Sequence, residues 1–542
     1  MASTPTTKSQ VQAYRFVLRR MQSALVRRDA VMLHDPMRNH SRATLVGVVL
    51  GAVGMIGFLV WGLFSPDPQL DGDTQIVMSK ESGQIYVVRQ SPRQLIPVFN
   101  LASARLLLLG ESTPDKGESG QAGGDAAAGS ASAPASAAGG ELKIISEKAL
   151  AKIPKGRLTG IVDAPDMMPG STDQRIGAEW SVCDQTTLDR SQNNPEANTT
   201  FKTTVLAGIT GGGQKLDGDR AVLVTADKNS KKAFLVYKRP DNSHFTSTST
   251  VRAQVDLTDK ALVNALKLGG KTPRPISTGL LNSIQQVDDL KAPAVPGQGE
   301  IVTYIQNGVK IGDIVAAHRT GEKDIFYVAL KDGMQEVPIA VADIIRFAYQ
   351  GGDIKPKEIN LSQVGNVVSV LNLQDYPTDI PEVVNLNEDN VVMCLGWRAD
   401  NVSANNKSEH TEVTIASTLP GGNLVPVQIN QVGATGEVVS QFVMAPGKVG
   451  VVRSSTSIEQ FGSGAIQLIT GRGVKYGIPD TVTSGGLGLG KDGFMPAPAS
   501  IIGLLPDGPQ LNRNSAARSY DSVPTPSGVL PEDANKPTTA GG

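Results

Sequence analysis

The chain has 542 residues, a formal net charge of −1 and only 4% aromatic residues. This near-neutral balance gives no electrostatic basis for nucleic acid as a partner, and we expect none. The 58 glycines and 33 prolines are typical of many short strands and turns. The composition therefore predicts a mainly β protein with short helices, of the α+β class.

Residues 1–43 form a basic arm. Its arginines surround an apolar stripe whose spacing of 3-4-3-4 predicts one side of a helix, and Pro36 is expected to end that helix. The stripe consists of Val11, Tyr14, Leu18, Met21 and Leu25. A basic amphipathic helix beside a membrane either lies on anionic lipid or docks its stripe on a protein partner.

Residues 44–64 are uncharged and almost wholly apolar, which is long enough to cross a bilayer as a helix. More than forty residues precede them and no small-residue cleavage site follows, so we expect a retained anchor rather than a signal peptide.

The arm carries eight Lys and Arg against two Asp, whereas the far flank begins with Asp67, Asp71 and Asp73. This asymmetry predicts a cytosolic N-terminus and an extracytoplasmic remainder.

Three glycines of the anchor fall on one helical face: Gly47, Gly51 and Gly54. Small residues at this spacing let two membrane helices approach closely. Glycine is also common in membrane spans generally, so the alternative is a face without a helix partner.

Two segments lack the residues to build a core. Residues 111–140 are rich in Gly, Ala and Ser without a large apolar side chain, which predicts a flexible linker. Residues 506–542 are rich in Pro, Ser and Thr with scattered charge, which predicts a disordered tail.

One spacing recurs in the outer part of the chain. In three hairpin-like segments an aromatic or apolar residue precedes a proline by eleven positions: Tyr86–Pro97, Tyr327–Pro338 and Leu468–Pro479. A looser fourth copy lies at 221–269. Hairpins with prolines can recur by chance, but the shared spacing favours a duplicated unit. Units this small must pack on neighbours to bury a core.

The two cysteines, Cys183 and Cys394, alternate with these units in chain order, and each has a tryptophan nearby, Trp180 and Trp397. Outside the cytosol two cysteines normally pair. Two buried thiols or a metal site are the alternatives, but the five histidines form no cluster in the sequence. A disulfide is favoured, and no metal ligand is predicted.

Two glycine-rich stretches approach the phosphate-binding pattern G-x-x-x-x-G-K-[ST]. In residues 208–215, Gln214 stands at the lysine position. In the second stretch Gly485, Gly490 and Lys491 fit, but Asp492 replaces the required Ser or Thr. Turns explain both stretches better. No catalytic or cofactor-binding residue is predicted, and enzymatic activity stays an open question.

Several longer segments carry a family resemblance. They are the opening "VQAYRFVLRRMQSALVRRDAVMLHDPMR", the anchor, "SGQIYVVRQSPRQLIPVFNLASARLLL", "IPKGRLTGIVDAPDMMP", the "SVC" and "CLGW" cysteine segments, "PRPISTGLLNSIQ" and "LLPDGPQLNRNSAARS". Together they resemble EccB, a core membrane component of the ESX (type VII) secretion systems of mycobacteria and other actinobacteria. The resemblance covers nearly the whole chain.

The resemblance implies a periplasmic part with a central β-domain and four repeat domains, tied by one disulfide. We expect the repeats at 73–110, 218–270, 300–352 and 447–490, in a quasi-twofold arrangement. The two halves of the central domain, with their connection, are expected at 141–217 and 386–445.

The resemblance also implies partners in the inner membrane: the motor ATPase EccC, EccD, EccE, the mycosin protease, other EccB copies and membrane lipid. It favours docking of the apolar stripe of the arm on EccC or EccD over binding to lipid alone. No cofactor is expected. ATP would enter only through the ATP hydrolysis that is credited to some members of the family. The favoured function is a structural subunit that organises the periplasmic side of the secretion complex. The alternatives are a membrane-anchored extracytoplasmic nucleotide hydrolase and a cell-wall-binding protein.

Overall fold

The computed structural model describes residues 7–28, 36–64, 70, 74–111, 142–188, 200–226, 232–240, 247–305, 308–318, 323–352, 354–403, 405–429 and 439–520. The chain divides into two units, residues 1–71 and 72–542. The linker expected at 111–140 lies outside the described residues except for its first residue, Glu111, and so does the tail after Tyr520.

The first unit contains two helices, α1 (Lys8–Arg27) and α2 (Pro36–Phe64). Thr7 caps α1: its hydroxyl accepts the Gln10 N–H, and the Gln10 side chain accepts the Thr7 N–H. The expectation that Pro36 ends this helix is wrong. α1 already ends at Arg27, and Pro36 is the first residue of α2, where its fixed φ and missing N–H are tolerated.

Within α2, residues 42–61 have a mean hydropathy of 2.4, and the helix is long and apolar enough to cross a membrane. The helix starts at Pro36 and therefore extends beyond the apolar stretch predicted at 44–64. A Cβ built at Gly47, Gly51 or Gly54 would meet no atom within 4 Å. The glycine face is thus uncovered in this described part of the first unit.

The second unit begins with repeat 1. Its elements are β1 (Ile76–Ser79), β2 (Ile85–Gln90), β3 (Arg93–Val98), α3 (Leu101–Glu111), β4 (Leu142–Ile145), α4 (Glu147–Leu150) and β5 (Leu158–Thr159). Strands β1, β2 and β3 form an antiparallel meander. β4 then pairs parallel to β1, and β5 lies parallel to β3 on the outer side.

A first part of the central sheet and repeat 2 follow. The central strands are β6 (Glu179–Thr187), β7 (Thr200–Ala207) and β8 (Gln214–Lys215). Repeat 2 consists of β9 (Arg220–Thr225), β10 (Lys232–Lys238), β11 (Ser247–Asp256), α5 (Lys260–Ala265), β12 (Arg274–Pro275), α6 (Thr278–Ser283) and β13 (Gln285–Gln286). Its pairing repeats that of repeat 1, with β12 parallel to β9 and β13 parallel to β11.

Repeat 3 comes next, with β14 (Ile314–Ala317), β15 (Ile325–Leu330), β16 (Gly333–Val337), α7 (Ile339–Tyr349) and β17 (Lys357–Ile359). β17 pairs parallel to β14. β18 (Glu382–Val383) then pairs parallel to β9 of repeat 2. The central sheet continues through β19 (Val392–Asp400), β20 (Ser408–Ala416), β21 (Val427–Gln428) and β22 (Gln441–Met444).

Repeat 4 closes the sequence of units, with β23 (Gly450–Ser455), β24 (Ile466–Ile469), β25 (Lys475–Ile478), α8 (Thr481–Gly486), β26 (Met495–Pro498) and α9 (Ala499–Ile502). β26 pairs parallel to β23. All four repeats therefore share an antiparallel three-strand meander, a helix and a fourth strand parallel to the first. In each of them this fourth strand begins after the C-terminal bound expected from the sequence.

The tail expected from residue 506 is ordered as far as Tyr520, which corrects that expectation. It contains α10 (Arg513–Ala516) and β27 (Ser519–Tyr520), and β27 pairs antiparallel with β5 of repeat 1. Leu511 and Ala516 are completely buried. These few apolar residues anchor a segment whose average composition is polar.

The repeats pack in pairs across the chain. α3 of repeat 1 contacts α8 of repeat 4, and α5 of repeat 2 contacts α7 of repeat 3. One shared core includes Leu106 and Leu487, and the other includes Leu262 and Ile344. Each half of the second unit is thereby packed against the other half. The mainly β class, with one N-terminal apolar helix, is confirmed.

Candidate functional site

The centre of the second unit is the antiparallel pair of β6 and β19. Cys183 lies directly opposite Cys394 in this pair, and Trp180 lies opposite Trp397. The tryptophans face the main core, whereas the cysteines face a smaller apolar cluster with Leu206. Side chains alternate between the faces of a strand, so the three-residue spacing of Trp and Cys puts them on opposite faces.

Cys183 and Cys394 form a disulfide across 211 residues of sequence, as predicted. Their relative exposures are 0% and 1%, so neither sulfur is accessible in the folded protein. A loop of this length restricts the unfolded chain by about 5 kcal/mol in the chain-entropy description. The bond thus joins the two halves at their shared strand pair.

A buried polar network adjoins the disulfide. The Asp184 carboxylate accepts hydrogen bonds from the Thr203 hydroxyl at 2.7 Å, the Ser277 N–H at 2.6 Å and the Ser277 hydroxyl at 3.0 Å. Burial raises the pKa of Asp184, although these hydrogen bonds and the charge of Arg274 act in the opposite direction. The network fastens the start of α6 to β6.

Arg274 extends this network to the second half of the chain. Its guanidinium donates to the carbonyl oxygens of Asn390 at 2.6 Å and Val391 at 2.7 Å, immediately before β19. Burial lowers the pKa of Arg274 to about 10. Sequence reasoning missed this contact; its only trace was that "SVC" and "PRPIST" both belong to the segments that carry the family resemblance.

The first glycine-rich stretch does not have the geometry of a phosphate-binding loop. Such a loop leads from a strand into a helix whose N-terminus faces the phosphate. Here it leads into β8, which pairs with β20. A Cβ at Gly213, which has φ +101°, would lie 2.4 Å from the Ile415 carbonyl oxygen. The glycine therefore permits close strand approach.

A polar cleft of about 370 Å³ lies beside this stretch, lined among others by Lys215, Lys238, Arg398, His410 and Glu412. Several of these charges are paired. Lys215 contacts Glu412 at 2.9 Å, and Arg398 and His410 contact Asp400 at 3.1 and 3.3 Å. Within the described part of the chain, no group of three His, Cys, Asp or Glu residues could hold a metal ion.

The second glycine-rich stretch binds cations of the protein itself. Arg105 of α3 donates to the Leu487 carbonyl oxygen at 2.7 Å, and Arg175 donates to that of Leu489 at 2.8 Å. A Cβ at Gly488 would lie 2.9 Å from the Arg105 guanidinium. We call the contacts of Arg105 with Leu487 and of Arg175 with Leu489 the arginine clamp. Carbonyl oxygens directed at guanidinium groups have the opposite polarity to a phosphate cradle.

The order of helix and strand around the second glycine-rich stretch also differs from that of a phosphate-binding loop. The second stretch begins in the last residues of α8, at Gly485, and strand β26 follows it, which reverses the order of a phosphate-binding loop. Burial lowers the pKa of Arg105. The clamp joins repeat 1 to repeat 4, so the stretch has a structural role.

The apolar stripe of α1 is exposed in its own unit. Its side chains are 41–79% exposed: Val11 41%, Tyr14 67%, Leu18 41%, Met21 56% and Leu25 79%. No described residue of this unit covers the stripe. An apolar face bordered by arginines can bind either anionic lipid or a protein partner.

Comparison with known proteins extends these observations. A sequence model of the family described as "Type VII secretion system ESX-1, transport TM domain B" matches residues 3–525. The "ESX-3 secretion system ATPase EccB3" of Mycolicibacterium smegmatis is 29% identical, with 96% of this chain and 92% of that protein covered. The "ESX-1 secretion system ATPase EccB1" of Mycobacterium tuberculosis is 27% identical, with 96% of each covered.

Solved structures show the same fold. A chain of an intact ESX-5 inner membrane complex has a TM-score of 0.63 at 24% identity, with 98% of this chain and 99% of that chain covered. A chain of an EccB3 dimer from the ESX-3 core complex also has a TM-score of 0.63 at 24% identity, with 82% and 100% covered. Because the family model spans the arm, the anchor and the second unit, this chain belongs to the EccB family and is a structural subunit of the type VII secretion machinery.

Proposed function

We propose that the chain organises the periplasmic side of the secretion complex as a membrane-tethered scaffold. The observation that carries this proposal is the cross-packing of the second unit. Repeat 1 packs on repeat 4, repeat 2 packs on repeat 3, and a buried disulfide joins the strands between them. An interleaved chain of this kind offers several similar surfaces to partners at fixed spacings.

The orientation that we propose has the arm in the cytosol and the second unit in the periplasm. Eight basic residues against two acidic residues before the anchor support it. The disulfide supports it independently, because such bonds persist in oxidising compartments.

For partners, we propose further copies of this chain, together with the motor ATPase EccC, EccD, EccE and the mycosin protease. The similar solved chains come from an ESX-5 inner membrane complex and from an EccB3 dimer. The exposed stripe of α1 is the surface that we assign to a cytosolic partner, with anionic lipid as the alternative.

A mild-detergent purification of the full-length protein, followed by mass spectrometry, tests this function. We expect EccC and EccD to co-purify at constant ratio through size-exclusion chromatography. Recovery of this chain alone, under conditions that preserve other membrane complexes, would contradict the scaffold proposal.

Nucleotide hydrolysis is the second candidate, because the similar EccB1 and EccB3 proteins are named as ATPases. The scaffold proposal predicts no ATP turnover by the purified full-length chain above a heat-inactivated control. Turnover that is abolished by Lys215→Ala or Lys491→Ala would overturn it. The full chain is needed, because residues 506–520 pack on repeats 1 and 4.

A further inference from the structure

The polar cleft beside the first glycine-rich stretch lies where the sheet forks. β11 pairs parallel with β20 over only three residue pairs, with Ser247–Ser249 opposite Glu409–Thr411. Beyond them β11 pairs with β10 of repeat 2, whereas the same edge of β20 pairs with β8 at Thr414 and Ile415. The cleft is lined from both sides of this fork, so its wall combines the central sheet with repeat 2.

Hydrogen bonds close the floor of the fork. The Val413 N–H of β20 donates to the Thr250 hydroxyl at 3.2 Å, and the Leu216 N–H donates to the Val413 carbonyl oxygen at 3.0 Å. Thr250 and Leu216, which both line the cleft, are each only 3% exposed. Because the Thr250 hydroxyl accepts its bond from Val413, it retains a proton that it can donate. The cleft thus has a buried, hydrogen-bonded floor.

The wall of the cleft carries an excess of positive charge. Its permanent cations are Lys215, Lys238 and Arg398, against the single carboxylate of Glu412. Glu412 contacts Lys215 at 2.9 Å, and Asp400 beside the wall contacts Arg398 at 3.1 Å. Lys238, the last residue of β10, has no carboxylate within 4 Å among the described residues. A cation without a carboxylate partner attracts an anion into the cleft.

The anionic group that fits this wall best is a carboxylate. The described lining residues lie on β8, β10, β11, β19 and β20 or in the loop beside β8, and none of them belongs to a helix. Phosphate groups are commonly bound at helix N-termini. A carboxylate, by contrast, is the group that Lys215 already contacts in Glu412. The cleft volume of about 370 Å³ lies near the lower end of the range for small-molecule sites, about 300–1,000 Å³.

We propose that this cleft binds a small molecule that carries a carboxylate, with Lys238 as its principal cation. The ligand carboxylate competes with Glu412 for Lys215, since that ion pair is exposed, with side-chain exposures of 41% and 61%. Lys238 belongs to repeat 2 and Lys215 to the central sheet, so the bound ligand links the two. This site goes beyond the scaffold role and does not depend on it.

Titration calorimetry of the full-length protein in detergent tests the site, with succinate as the probe. Succinamide, the uncharged diamide of the same shape, is the matched control. We expect succinate to bind at one site per chain at low ionic strength, where charge screening is weakest, and succinamide to give no heat of binding. An absence of succinate binding, or equal binding of the two compounds, would overturn the proposal. Inorganic phosphate should bind more weakly than succinate; equal or tighter binding of phosphate would overturn the carboxylate class.

A charge reversal locates the probe in the cleft. Lys238→Glu should weaken succinate binding about tenfold, because it replaces the principal cation by a like charge. Lys232→Glu is the matched control. It lies six residues earlier in β10, on the same side of the strand and about 20 Å away, and should leave the affinity unchanged. Equal effects of the two variants would show that succinate binds elsewhere and would overturn the assignment.

The variant Glu412→Gln gives a change of opposite sign. It removes the carboxylate of the wall and releases Lys215 from its ion pair, so succinate should bind about threefold more tightly. Unchanged or weaker binding would contradict the competition with Glu412. This variant keeps the proposal testable should Lys238→Glu fail to fold. Co-purification of EccC and EccD reports complex membership separately, so failure of the ligand site is distinguishable from failure of the scaffold function.

Discussion

Cys183 and Cys394 occupy facing positions of two strands that belong to different halves of the chain. Cys183→Ser should lower the free energy of unfolding by about 2–5 kcal/mol, because it removes the cross-link and buries a hydroxyl without an assured partner. Denaturant unfolding of the purified protein measures the change.

A control for this substitution is the double variant Cys183→Ala with Cys394→Ala, which removes the bond without burying a hydroxyl or a thiol. It should be less destabilised than the serine variant. Finding two alkylatable thiols in protein that was purified without reductant and then unfolded would contradict the disulfide.

Asp184 provides a pH-dependent prediction at the same scale. Asp184→Asn should destabilise the protein by about 2–5 kcal/mol, because an amide cannot accept all three hydrogen bonds. Burial raises the pKa of Asp184 in the folded state, so the folded protein retains a proton that the unfolded chain releases as the pH rises above about 4.

The stability contributed by Asp184 is therefore greatest at low pH and declines as the pH rises through the raised pKa. The difference in unfolding free energy between the natural protein and the Asn variant should be larger at pH 4 than at pH 7. Urea titrations at the two pH values measure it, and a difference that widens with pH would contradict the assignment.

Residue-level features were predictable where chemistry is intrinsic to the residue type. Two cysteines outside the cytosol suffice to favour a disulfide. The contact of Asp184 with Ser277 joins positions 93 residues apart and depends on tertiary placement, which no local pattern encodes. The register of the hairpins could not be predicted from the sequence either. Tyr86 pairs with Pro97, but Tyr327 pairs with Glu336 and not with Pro338, despite the shared spacing.

The arginine clamp is the clearest case at the scale of elements. Arg105→Ala should lower the free energy of unfolding by about 1–3 kcal/mol, because it leaves the Leu487 carbonyl oxygen without its donor. Arg472→Ala is the matched control. That arginine is 73% exposed and contacts Asp166 at 3.1 Å, and loss of such a surface pair costs about 0–1 kcal/mol. Equal effects of the two variants would refute the clamp.

Helix α1 supports a prediction about assembly. Leu18→Asp combined with Met21→Asp should remove this subunit from the complex while leaving it in the membrane, because the anchor is untouched and the stripe is not. The side chains are 41% and 56% exposed, so folding of the unit does not require them. Co-purification from detergent extracts provides the measurement.

The matched control for α1 replaces Arg19 and Arg20 by Gln. If the stripe docks on protein, this control should have the smaller effect; if lipid alone binds the helix, the loss of charge should matter at least as much. Normal assembly of the Asp double variant would exclude docking through the stripe.

Elements with strong periodicity were predicted well, and those set by a few residues were not. The stripe spacing predicted α1, and its cap at Thr7 fixed the start. The polar composition after residue 506 concealed α10 and β27, because few residues there, chiefly Leu511, Ala516 and Tyr520, pack against the rest of the unit. The glycine-rich stretches could be rejected as phosphate sites from one residue each, but their actual contacts required the fold.

For the whole molecule, orientation across the membrane is the testable property. With cysteine introduced at Gln12 in the arm and at exposed Thr272 in the second unit, a membrane-impermeant thiol reagent should label only the latter in intact cells. Labelling of both after permeabilisation is the control, and the reverse pattern in intact cells would refute the proposed topology.

The repeated spacing indicated where related units lie, but it could not give their extent. Parallel fourth strands arrive after the helix of each unit, and in repeat 1 residues 112–141 intervene before β4. Only the pairing of distant strands defines such a unit. The central sheet likewise depends on β6 and β19, which lie more than 200 residues apart.

The pairing of β27 with β5 sets the order in which the protein can be completed. Repeat 1 is the first part of the second unit to be synthesised, yet its sheet acquires its last strand only from Ser519 and Tyr520. Repeat 2 can build its own meander much earlier. A nascent or truncated chain that stops before residue 519 therefore presents the outer side of β5 uncovered. Completion of the sheet of repeat 1 thus requires that the chain has been made as far as Tyr520.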